Sequence, residues 1–164
     1  MNWFRIPPFL LPVIVTAAVL AQRPAVRPDL NGVWKVNIAE SDFGQAPPPT
    51  KQTETITQAG EEMAIEIQIE RPEVKQNYTL RFRVGAGQAP IGMLFPDNAP
   101  FRILTVKGDW KGPVLTLLER VTFQSAEGTI EAKYQLISGK KLKKTTHVTM
   151  PVGEFDTTTV YDRE

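Results

Sequence analysis

The feature that most constrains this chain is strict alternation. Met63, Ile65, Ile67 and Ile69 are separated by Ala64, Glu66 and Gln68, and Tyr78, Leu80, Phe82 and Val84 by Thr79, Arg81 and Arg83. Successive side chains of a strand point to opposite faces, so a period of two lays one apolar stripe on a buried face and leaves the other wet. A helix of these residues would scatter the same side chains around its axis. Arg71-Pro72-Glu73 interrupts the two runs, which therefore read as neighbours in an antiparallel meander with one face buried.

The same period recurs along the chain. Strands are predicted at Val33–Ile38, Lys51–Gln58, Phe101–Val106, Val114–Phe123, Ile130–Leu136, Leu142–Met150 and Phe155–Tyr161. Between them lie turn signals such as Ala59-Gly60-Glu61, Gly112-Pro113, Ala126-Glu127-Gly128 and Ser138-Gly139-Lys140. No convincing amphipathic helix appears. An up-and-down order of this many strands leaves exposed edges unless the sheet closes. The expected fold is therefore all-β, a closed antiparallel barrel of about eight to nine strands over residues 31–164. No internal repeat suggests a propeller or solenoid. Two stretches break the pattern. Ser41–Thr50, with Pro47, Pro48 and Pro49, reads as a stiff exposed loop. Gly85–Pro100 is irregular but carries Ile91, Met93, Leu94 and Phe95, which either close one end of the core or cover a ligand.

The amino terminus has a different character. Arg5 precedes an apolar run from Ile6 to Leu20, and Val19 and Ala21 stand three residues and one residue before Gln22. That is the layout of a cleaved secretory signal, residues 1–21. The run is about 15 residues and contains Pro7, Pro8 and Pro12, against the 20 or so that a spanning helix needs. The expected product is periplasmic or secreted, without a stable membrane span. Residues 22–30, with Pro24 and Pro28, read as a tether. Lys and Arg total 19 and Asp and Glu 18; Arg5 is the leader's single charge, so the remainder is formally neutral. A neutral chain has no global field to draw nucleic acid. There is no cysteine, which excludes disulfides, zinc–thiolate sites and a thioether lipid anchor.

Two short segments resemble a known superfamily. Asn31-Gly32-Val33-Trp34-Lys35 resembles the Gly-x-Trp opening of the calycin barrels (lipocalins, fatty-acid-binding proteins and avidins), in which the tryptophan packs across the closed end. Thr159-Val160-Tyr161-Asp162-Arg163 resembles the last strand of the fatty-acid-binding proteins. With Ser41-Asp42-Phe43-Gly44 and the proline run added, the chain looks like small exported, lipocalin-like bacterial proteins of unknown function. The resemblance implies a barrel that holds a small molecule. It also has departures. Fatty-acid-binding proteins carry a carboxylate-holding arginine two residues before the last-strand tyrosine, where this chain has Thr159. They insert two helices after the first strand, where this chain has the proline-rich loop.

Few residues invite chemistry. His147 is the one histidine; it alternates with Leu142, Val148 and Met150 and so reads as a surface residue. Glu119 shares a face with Leu117, Val121 and Phe123. A carboxylate there is either an internal polar anchor or sits at a strand end or bulge in water. Lys140, Lys141, Lys143 and Lys144 read as a solvated hairpin tip, although such a cluster also suits phosphate or lipid headgroups. No phosphate-binding glycine loop, nucleophile elbow or metal-binding helix motif is present, so no catalytic residue, metal or cofactor is expected. Trp34, Phe82, Phe101, Glu119, Tyr134 and Tyr161 are the candidate lining of a ligand cavity. The sequence reading is an exported protein binding a small hydrophobic ligand. Its rival is a packed barrel that serves as an interaction protein, with another envelope protein as partner.

Overall fold

A computed structural model describes residues 27–72, 74–90 and 101–164. The leader and the Ile91–Phe95 cluster of the sequence reading lie outside the described residues. Ten strands form one antiparallel sheet: β1 (Gly32–Asp42), β2 (Lys51–Ala59), β3 (Glu62–Arg71), β4 (Val74–Arg83), β5 (Ala89–Pro90), β6 (Phe101–Lys111), β7 (Val114–Phe123), β8 (Ala126–Ser138), β9 (Lys141–Met150) and β10 (Gly153–Arg163). There is no helix among the described residues.

The strand order is β4-β3-β2-β1-β10-β9-β8-β7-β6-β5. Every neighbour is sequential except the pair β1–β10, which joins the first strand to the last. This corrects the expectation in two respects. The tenth strand is the two-residue β5, inside the stretch read as irregular; Ala89 and Pro90 pair with Val106 and Thr105. The sheet is also nearly closed rather than closed, because β4 and β6 are not joined by a ladder. Among the described residues their seam is bridged by one backbone bond, Gly85 N–H to Gly108 C=O at 2.9 Å. Packing seals the rest. A Cβ on Gly108 would come within 2.2 Å of the Phe82 ring, so only glycine lets β4 lay that ring against β6.

Three register irregularities bend the wall, one of them between Leu136 and Ser138 in the β8–β9 ladder. The β1–β10 register shifts between Asn37 and Asp42, where the Ser41 hydroxyl donates to Asn37 C=O and accepts from Val160 N–H. The β6–β7 register shifts between Ile103 and Thr105. Bulges of this kind increase local twist and help a sheet curl. The loop after β1 is less exposed than its prolines suggest, since Pro49 is buried.

One end of the barrel is packed solid. Leu30, Trp34, Ile65, Leu80, Leu115, Leu117, Leu142 and Tyr161 have no exposed surface. Trp34 Nε1 donates to Leu30 C=O at 2.8 Å, and the Arg163 guanidinium lies 4.4 Å from the Trp34 ring. The segment read as a tether is thus drawn into the fold at its last residues. Leu30 plugs the barrel end, and Arg27 pairs with Glu61 at 2.6 Å.

Candidate functional site

The inner face of each strand can be followed from the closed end to the open end through the registers. On β7 it runs Leu115, Leu117, Glu119, Val121, Phe123; on β8, from the opposite direction, Ile130, Ala132, Tyr134. On β9 it holds Leu142, Lys144, Thr146 and Val148, because Lys144 lies across from Tyr134 and Val148 across from Ile130. On β10 it holds Phe155, Thr157, Thr159 and Tyr161. These rows stack into three tiers: a packed apolar floor, a polar middle and an apolar mouth.

The middle tier centres on Glu54, a fully buried carboxylate on β2. Tyr134 OH donates to Oε2 at 2.9 Å. Tyr161 OH donates to Oε1 at 2.5 Å, and Lys144 Nζ donates to the same oxygen at 2.9 Å. Gln52 Nε2 completes the chain by donating to Tyr161 OH at 2.6 Å. Lys144 also stands 5.0 Å from the Tyr134 ring centre. A buried carboxylate is costly unless it is paired and hydrogen-bonded, and Glu54 is both. Burial and then the nearby Glu54 charge hold the Tyr134 and Tyr161 hydroxyls well above the usual phenol range. They are therefore permanent donors to that carboxylate.

Glu119 lies on β7, across the barrel from β2 in the strand order, and has a different environment. It is 5% exposed and sits in regular ladder, opposite Val106 on β6 and Ile130 on β8. It is therefore interior, and the strand-end alternative is overturned. It has no hydrogen bond or ion pair with any described residue. Burial, only partly offset by Lys144 and reinforced by Glu54, pushes its carboxyl up to about 7. Tyr78, on β4, is raised well above the phenol range by burial and then by Glu119 and Glu54.

Above Glu119 the barrel opens into an apolar cleft of about 320 Å³. It is lined by Phe101 of β6, Val121 and Phe123 of β7, Ile130 of β8, Val148 and Met150 of β9, Val152 of the following turn and Phe155 of β10. The residues touching Glu119 in register are thus residues of the cleft wall: Val121 is next on its face and Ile130 is its cross-strand partner.

The six residues proposed from sequence fall into three groups. Trp34 and Phe82 belong to the closed end and the β4–β6 seam. Tyr134 and Tyr161 belong to the middle tier with Glu119. Phe101 lines the cleft. Sequence reasoning missed Glu54, Gln52 and Lys144. Lys144 was read with the solvated hairpin tip, and the structure corrects this. Its neighbour Lys141 is indeed on the outside, paired with Glu40 and Asp162, but Lys144 shares the inward register of Leu142 and Val148. Gln52 and Glu54 likewise share the register of Ile56, a parity visible in KQTETITQ. His147 is on the outer face, its Nδ1 2.9 Å from Asp156 and its Nε2 3.3 Å from the Thr149 hydroxyl.

No protein-family model matches this sequence, and no curated protein does. Solved structures do match. Human cRBP IV is 18% identical, with 84% of this chain and 99% of that one covered and a TM-score of 0.52. Zebrafish ileal bile acid-binding protein, solved with cholic acid, is 17% identical, with 82% and 98% covered and a TM-score of 0.51. The fatty-acid-binding protein of Manduca sexta is 15% identical, with 81% and 98% covered and a TM-score of 0.51. At these identities the likeness is one of fold, the calycin-like barrel that the Gly-x-Trp opening suggested.

Proposed function

We propose that this chain is a binding protein that takes a small, largely apolar molecule into the open end of its barrel. The observation that carries the reading is the apolar cleft of about 320 Å³. It stands over a packed floor, so a ligand is held in the upper half of the barrel only. Pockets that hold small molecules have this character, mostly apolar walls with a few placed polar groups. The fold neighbours support the same reading, because two of them are named for the bile acid or fatty acid they bind; those names describe binding proteins rather than enzymes. Of the six residues proposed from sequence, Phe101 contacts the ligand body and Glu119 meets its inner end. Trp34, Phe82, Tyr134 and Tyr161 act at a distance by holding the floor and the middle tier.

Titration with the neutral fluorophore Nile red tests the reading. Saturable emission is expected from the unmodified protein. Ile130→Trp, which puts an indole into the cleft from a half-buried position, is expected to weaken it at least tenfold. Equal binding by both proteins would contradict the assignment. Export is the second half of the proposal: cleavage after Ala21 delivers the protein to the periplasm or beyond. Amino-terminal sequencing of protein from its native host is expected to begin at Gln22, and retention of the leader would refute it.

A further inference from the structure

The reading above leaves open which end of a ligand goes in first and what that end is. Charge placement in the middle tier bears on both. The interior has one deeply placed cation, Lys144, whose ammonium is bonded to Glu54 at 2.9 Å. Glu54 is saturated in turn by Tyr134 and Tyr161. Glu119 is the group left over. It is interior, without a partner among the described residues, and immediately beneath the cleft. The other cations on the inner register of the described strands are Arg163, stacked on Trp34 at the closed end, and Arg71 at the rim of β3, half-buried and paired in register with Val74.

We propose that Glu119 is the head-group acceptor of the site, and that the ligand is an amphiphile entering head first with a hydrogen-bond-donating head, an ammonium above all. This rests on the cleft being the binding site. The Glu119 carboxylate accepts no hydrogen bond from a described residue, and a ligand that brings a donor supplies one there. A carboxylate head has the opposite fit: it would meet a second acceptor, with Lys144 already engaged by Glu54, Arg163 held on Trp34 at the closed end and Arg71 out at the rim. The Tyr78 hydroxyl, raised by burial and then by Glu119 and Glu54, remains neutral at any physiological pH. Glu119 titrates near neutrality, so its ionised form is available to pair with an ammonium and its protonated form still accepts a hydroxyl's hydrogen bond through the carbonyl oxygen.

The test is displacement of Nile red from the full-length mature protein at pH 7.5 by three probes of one chain length, dodecylamine, dodecanol and dodecanoate, each kept below its micelle concentration. The amine is expected to displace at a concentration at least tenfold lower than the carboxylate, with the alcohol between them. Glu119→Gln is expected to cost the amine about tenfold, the size of one charge-assisted hydrogen bond, while leaving the alcohol little changed. Ile130→Trp is expected to weaken all three, which separates the cleft from general adsorption of a cationic surfactant. Dodecanoate binding as tightly as the amine, or an amine preference that survives Glu119→Gln, would overturn the proposal while leaving the cleft as a binding site. Failure of Nile red itself to bind would remove the cleft reading and this proposal with it.

Discussion

Glu54 and Glu119 are both buried carboxylates inside one barrel, yet they differ in almost every other respect. Glu54 faces the wall where β2, β8, β9 and β10 each supply a donor, and it is a structural ion. Glu119 faces the wall beneath the cleft and has no donor among the described residues. An interior carboxylate with no protein donor beside a cavity is free to accept from a molecule that comes and goes. The lesson is that burial alone does not mark a functional acid. The balance of donors does.

The largest expected effect comes from breaking the satisfied side. Glu54→Leu leaves the Lys144 ammonium buried with no counter-charge, and about 3–5 kcal/mol of stability should be lost in urea unfolding. Adding Lys144→Met to it should recover most of that loss, since replacing both members of a buried pair by apolar groups is close to neutral. If the double variant is no more stable than Glu54→Leu, the ion pair is not what holds the middle tier together.

The next effect lies on the unsatisfied side. Burial lifts the folded-state pKa of Glu119 above its ordinary 4.5 to about 7. Between those values the folded protein holds a proton that the unfolded chain has released. Stability due to this group is therefore full below pH 4.5, falls as pH rises, and levels off above pH 7. The total fall is about 3 kcal/mol. Glu119→Gln should flatten the profile across that window, as read by urea midpoints at pH 5, 6, 7 and 8; a wild-type profile already flat there would contradict the placement. Smallest of all is the outer face. His147→Ala should change stability by less than about 0.5 kcal/mol and leave Nile red binding unchanged, because the ring touches only exposed groups.

Much of the barrel was legible in the sequence, because a period of two is written directly into Met63–Ile69 and Tyr78–Val84. The seam was not. It depends on Phe82 meeting Gly108 across strands that do not pair, a contact no local pattern encodes. The short β5 was equally invisible, since two residues carry no period. Within the site, Glu119 stood out because it interrupts an apolar face. Glu54 and Lys144 were concealed by company: each sits among polar residues, where a charge looks ordinary, and only the parity with Ile56 and with Leu142 and Val148 shows that they turn inward.

The most direct measurement is a carbon-13 NMR titration of the side-chain carboxyl of Glu119, with and without dodecylamine. The account predicts a midpoint near 7 in the free protein and a clear fall when the amine is bound, because a cation beside the carboxylate favours its ionised form. A midpoint near the ordinary carboxylate value that the amine does not move would contradict it.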